Sequence, residues 1–260
     1  MTALAELLVP LGGMGLVVAA AVFLRVGAAA FALPGIGEQA VPVRFRLVLA
    51  LGISLAVAPA VAGPVLAAWA AAPAAPAFLL AEAAAGLVMG LGLRVAVGLL
   101  QLAAAKAAQA TSLAQVLGPG ATPDPMPAIG VLLVTGGLAL AFATGLHVHI
   151  IAALIVSYDV LPPGAALPGG DLAAWGTGLM SAAFGLAFSL AAPFLILALL
   201  YNVALGAINR AMPQLMVALV GAPALTFGAL VVLLLAAPLI LPLWRDHLFA
   251  RLASPLAVLP

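Results

Sequence analysis

The sequence predicts an all-α membrane protein built from about six long, proline-kinked apolar helices. Composition is the first reason: 67% of the 260 residues are hydrophobic and only 6% are charged, whereas soluble domains carry about 25% charged residues. The second is how that apolarity is distributed. Six stretches, roughly 7–31, 47–71, 77–104, 128–157, 175–208 and 211–244, each hold the ~20 apolar residues that cross a hydrocarbon core of about 30 Å. The third is what separates them: breaks that are short and either polar or rich in Pro and Gly. Eight basic against seven acidic residues leave a net charge of +1, too little for a broad basic face that binds nucleic acid. Cysteine is absent, which excludes disulfides, thiolate chemistry and cysteine-ligated metals.

The first stretch has no Lys or Arg before Arg25, and its first charge is Glu6. A secretory leader opens on a positive segment, so residues 7–24 read as a retained transmembrane helix. A polar turn, "LPGIGEQAVPVRFR" (33–46), leads to the second stretch, which carries Pro59 and Pro64. The third follows the short break "AAPAAP" (71–76) and ends in the long run "AAKAAQATSLAQVLGPGATPDPMP" (104–127). The fourth, 128–157, holds His147 and His149 and is closed by "SYDVLPPGAALPGGDLAAW" (157–175). The last two, joined by the tight "NRAMP" turn (209–213), span 34 residues each. That is about 51 Å of continuous helix, more than a tilted span in a bilayer absorbs. Pro193, Pro223 and Pro238 lie inside them. Each proline frees a backbone carbonyl, and freed groups at membrane depth need protein or water beside them. Many of these helices are therefore expected to face protein.

Lys and Arg in short loops set orientation. With alternating spans, Arg44, Arg46, Lys106 and Arg210 fall on one side and Arg25 leans the same way, against only Arg245 and Arg251 on the other. Both termini are then expected outside the cytoplasm.

Within the third stretch, Glu82, Gly86, Gly90 and Arg94 recur every four residues. Each step advances about 40° around a helix, so the four sweep about 120°, and the charges stand about 18 Å apart, too far to pair. A charge in the bilayer centre costs at least ~2.5–3.5 kcal/mol. Both groups therefore need another segment, a partner chain or water, and the glycines allow a close backbone approach. Three readings stay open: a packing face with snorkelling charges, contacts with a partner chain around an aqueous path, and a proton relay through Glu82.

Other polar residues carry less. His147 and His149 point about 200° apart on a helix, with no cysteine or carboxylate face to complete a metal site. Asp159 and Asp171 sit in a Pro/Gly loop and read as solvated. Met126, Met212 and Met216 suit soft, adaptable contacts, with core packing as the plainer role. No Walker loop, nucleophile elbow or HExxH motif occurs, so no enzyme, cofactor or metal is expected.

The run "LGAINRAMPQLMVALVGAPALTFGALVVLL" (205–234) resembles the C-terminal hairpin of the FliR family of flagellar export components. Leu205, Gly206, Asn209, Arg210, Pro213, Gln214, Gly221 and Pro223 match that family's pattern in place. Arg25, Pro34, Glu38, Pro42, Arg44 and Pro59 are similar to its first loop and second helix. The Glu82–Gly86–Gly90–Arg94 ladder fits its third helix, and "TGLHVHIIAALIVSYDVLPPG" (144–164) its fourth. The resemblance covers nearly the whole chain.

The resemblance implies a role in assembly, as a single subunit beside FliP-like and FliQ-like subunits, with an FlhB-like subunit nearby, in the type III protein export gate of the bacterial inner membrane. Unfolded export substrates would thread that gate. Residues 1–174 would form a FliP-like part with a plug loop at about 105–127, and 175–260 a FliQ-like hairpin and tail. Plug candidates are Gln109, Thr111, Ser112, Gln115, Gly118, Gly120, Asp124, Pro125 and Met126. Glu82, Gly86, Gly90 and Arg94 are subunit-packing candidates, and Asn209, Arg210, Pro213 and Gln214 would stand at the cytoplasmic mouth. The family's plug carries an acidic residue where Lys106 stands, and its Met-Gly element is missing here. The rival reading is a stand-alone proton-coupled transporter that uses Glu82, with broken helices lining a midplane site.

Overall fold

The computed structural model describes residues 13–33, 42–72, 74–111, 128–211 and 217–256, with the backbone alone at 13, 14 and 217–223. Among the described residues every regular element is a helix: α1 (Gly13–Ala32), α2 (Val43–Ala71), α3 (Ala75–Thr111), α4 (Ala128–Ala143), α5 (Leu146–Val160), α6 (Gly169–Ala211) and α7 (Val217–Ala253). Five are long and apolar enough to cross a membrane, or up to six if α4 and α5, which pass that test only together, count as one span. The all-α membrane fold is therefore as the sequence predicts.

The differences have local causes. Helix α3 runs past the expected end at 104 to Thr111. The extension, "AKAAQAT", is mostly Ala, Lys and Gln, which form helix without being apolar. Helix α6 starts at Gly169, six residues early, with Asp171 in its first turn, where a carboxylate favours the positive end of the helix dipole. Helix α7 continues to Ala253 and ends with Arg251 in its last turn, the complementary arrangement. The expected fourth stretch is divided. Gly145 takes φ +93°, the left-handed backbone that terminates helices, and the Thr144 hydroxyl lies 2.8 Å from the Leu140 carbonyl.

The chain folds into two compact units. One comprises residues 1–96, 145–180 and 248–260, and the other 97–144 and 181–247. In the first, valines at four-residue spacing interlock: Val18, Val22 and Val26 of α1 meet Val57, Val61 and Val65 of α2, closed by Phe78, Leu154 and Tyr158. Trp69 stands edge-on to Phe78 with centroids 5.3 Å apart. In the second, Trp244 is fully buried, and Gly137 lies under both Leu100 and the Trp244 ring. An open groove of about 630 Å³ in this unit is lined only by Leu, Ala and Pro, among them Leu140, Leu234 and Pro238.

A buried ion pair and an exposed arginine as the candidate functional site

Arg25 and Glu82 are the two charged residues whose place in the first unit is least expected from an apolar sequence. Both are essentially sealed from solvent, at 1% and 0% exposure. Arg25 Nε donates to Glu82 Oε2 at 2.9 Å and its Nη2 to Oε1 at 3.1 Å, the two-pronged match of guanidinium and carboxylate. Arg25 Nη1 turns the other way. It donates to the carbonyl oxygens of Ser157 (3.2 Å) and Leu161 (3.0 Å) and to the Ser157 hydroxyl (3.3 Å). The guanidinium lies 3.8 Å from the centroid of the Tyr158 ring, a cation–π contact.

Glu82 carries a further bond. Its Oε1 accepts the Gly164 N–H at 2.8 Å. Gly164 sits in the turn after α5, where Ala165 N donates to Pro162 O at 3.1 Å. Proline at the second position and glycine at φ +70° in the third give this turn the signature of type II. Glycine is required twice over, since a side chain there would also run into the Phe78 ring. The ion pair thus ties α1, α3, the end of α5 and the turn that follows it into one node.

The glycines explain how α1 reaches Glu82. A methyl on Gly86 would collide with the backbone carbonyl of Arg25. One on Gly90 would come within 2.5 Å of the Ala29 carbonyl. Backbone rests on backbone along this face, which the ladder's spacing permits. Three rungs of the ladder are therefore occupied by this chain's own first helix. The fourth is not: Arg94 is exposed, because 120° of accumulated rotation carries it off the α1 face.

The other sequence-predicted residues are spread out. Gln109 is exposed near the end of α3, and Thr111 is buried there with its hydroxyl donating to Ala107 O at 2.8 Å. Ser112, Gln115, Gly118, Gly120, Asp124, Pro125 and Met126 lie outside the described residues, as do Pro213 and Gln214. Asn209 and Arg210 are exposed at the end of α6, and Asp159 and Asp171 are exposed as well. Lys106 is half-buried on α3. His149 stacks on Phe249 with centroids 4.1 Å apart, while His147 is exposed. Among the described residues no three His, Asp or Glu side chains come together as metal ligands do.

Sequence reasoning passed over Arg25 as a partner of Glu82, and over Ser157, Tyr158 and Gly164. A signal was present: Arg25 and Glu82 are charges of opposite sign inside apolar stretches, neither with a counter-charge within reach on its own helix, and each needs one. Chemically, the node is neutral and closed. Both carboxylate oxygens are engaged, with no solvent contact through which a carrier would load and release a proton.

The family model for bacterial export proteins, family 1, matches residues 16–250. The chain belongs to the FliR family of bacterial export proteins. It is similar to the flagellar biosynthetic protein FliR of Caulobacter vibrioides, at 35% identity over 88% of this chain and 92% of that one. It is also similar to the Escherichia coli protein of the same name, at 30% identity over 90% of this chain and 89% of that one. With its apolar helices, the chain is a multi-pass membrane member of a family of structural export components.

Proposed function

We propose that the chain is a structural subunit of the flagellar type III protein export gate, forming part of the channel through which unfolded substrates cross the inner membrane. The observation that carries this reading is the match to the export family over residues 16–250, together with relatives named flagellar biosynthetic protein over nearly their full length. The structure is in keeping with a role in assembly. The buried Arg25–Glu82 pair is spent on holding helices together, and the apolar groove of the second unit offers no polar side chain to orient a small substrate. Nothing favours the stand-alone transporter that uses Glu82.

In this reading FliP-like and FliQ-like subunits, with an FlhB-like subunit, surround the chain. Residues 1–174 act as the FliP-like part and 175–260 as the FliQ-like hairpin. Both termini face the periplasm, and Asn209, Arg210, Pro213 and Gln214 stand at the cytoplasmic mouth. The segment at about 105–127, helical as far as Thr111, acts as the plug that substrate displaces. The chain catalyses no reaction.

Purification of the tagged chain from its host in mild detergent tests the assignment. Several copies each of two small helical membrane proteins should accompany it; a chain that elutes alone and monodisperse would count against the gate. The plug is tested separately. Shortening 109–123 should leave assembly intact and make the membrane leaky to small ions, and an unchanged conductance in an assembled gate would remove the plug assignment.

A further inference from the structure

A second face of α3, centred about 120° from the Glu82–Gly86–Gly90 face, has its own pattern. Leu80, Ala84, Leu87, Leu91 and Arg94 follow a 4-3-4-3 spacing, the repeat of a coiled-coil seam. At 100° per residue they fall within about 80° of arc. Leu80, Leu87 and Leu91 are 71%, 41% and 50% exposed, and Arg94 is exposed with no hydrogen-bond or ionic partner among the described residues. This seam is distinct from the Glu82–Gly86–Gly90 face, which α1 already covers.

We infer that the Leu80–Arg94 seam of α3 is a knobs-into-holes docking face for a transmembrane helix of another gate subunit, with an Asp or Glu of that helix facing Arg94. This rests on the gate reading above and adds to it the face used and the chemistry of the partner. Two observations select a helix with a carboxylate over lipid. A heptad seam matches the ridges of another helix, whereas acyl chains impose no such period. Arg94 stands in phase with the leucines, at a core position of the seam, where one polar residue fixes register and partner at some cost in stability. A guanidinium takes a carboxylate in the two-pronged fashion that Arg25 already shows with Glu82.

The test uses the full chain expressed in its host with the complete export machinery. A photo-crosslinking residue is placed at Leu87 or at Leu91, and adducts are identified by mass spectrometry after mild-detergent purification. In parallel, recovery of the assembled complex is measured for Arg94→Glu and Arg94→Lys. Both crosslinking positions should mark one segment of one small membrane protein, with an acidic residue within a turn or two of the adduct. Arg94→Glu should lower recovery of the complex at least about tenfold and Arg94→Lys only about threefold, reflecting a kept charge and a lost fork. Reversing the charge of the marked acidic residue should restore assembly to Arg94→Glu. Adducts with lipid alone, adducts with segments that lack an acid, or wild-type assembly of Arg94→Glu would each overturn the inference. If Arg94→Glu fails to accumulate, the crosslinks decide. A wild-type chain that brings no other gate subunit overturns the functional reading; an assembled wild type with lipid adducts overturns only the seam.

Discussion

Glu82 and Arg94 stand on the same helix and meet opposite fates. Glu82 is sealed, bonded to Arg25 and to the Gly164 N–H, whereas Arg94 is exposed. Helical rotation accounts for the contrast. Glu82 shares a face with Gly86 and Gly90, where α1 comes close enough to deliver a guanidinium, while three four-residue steps carry Arg94 about 120° round and off that face. A membrane chain thus has two ways to carry a charge in an apolar span: neutralise it within the fold, or hold it for something outside the fold. The first fixes tertiary structure; the second leaves a demand that only another molecule meets.

The largest effect should come from breaking the neutralised half. Glu82→Leu leaves Arg25 buried without its carboxylate, and removing one partner of a buried pair costs about 3–5 kcal/mol. Thermal unfolding of the purified chain in detergent should show it. Replacing both residues, Arg25→Met with Glu82→Leu, should recover most of that loss, because apolar substitutes for a whole buried pair are often neutral or stabilising. If the double variant is as unstable as the single one, the carbonyls of Ser157 and Leu161 and the Gly164 N–H matter more than the pair.

Next in size is the approach that makes the pair possible. Gly86→Ala pushes a methyl into the Arg25 carbonyl, and overpacking of this kind costs about 1–3 kcal/mol. Gly98→Ala, where nothing lies within 4 Å, should instead be neutral or stabilising by up to about 1 kcal/mol, since Ala is the better helix former. The two glycines sit on one helix, so their difference in unfolding midpoint measures packing rather than propensity.

The peripheral bond should be smaller. Ser157→Ala removes a hydroxyl that accepts from Arg25 and donates to Leu154 O, but the backbone carbonyls remain. A loss of about 0.5–1.5 kcal/mol is expected in the same unfolding measurement. Smallest of all is Arg94→Gln in the isolated chain, within about 0.5 kcal/mol as for exposed positions without special contacts. A large loss there would show that Arg94 serves this fold, which would remove the contrast.

Much of the fold was legible because apolar length is a strong signal: a helix lies on each of the six stretches. The boundaries were read less well where helix continues on Ala, Lys and Gln, as after residue 104, or on charged turns such as "RDHLFARLA" at the end of α7. Such residues fold as helix without being hydrophobic. The break at Gly145 was missed since a single glycine inside an apolar run is often tolerated. At the site, the ladder's spacing showed that a backbone would approach Gly86 and Gly90, yet not which one. Local periodicity holds no information on a partner 57 residues away. The heptad at Leu80–Arg94 was hidden for a related reason. In an apolar sequence every face looks hydrophobic, and only the burial pattern separates a covered face from an open one.

The node also bears on how the chain is made. Arg25 leaves the ribosome 57 residues ahead of Glu82, and the Ser157 and Leu161 carbonyls follow far later. At about 5–20 residues per second, α1 waits roughly 3–11 s with a bare cation in its apolar face. During that interval the first helix has no reason to settle at its final depth. Lateral release of α1 from the insertion machinery should therefore be delayed until α3 arrives, so the two helices would enter the bilayer as a pair.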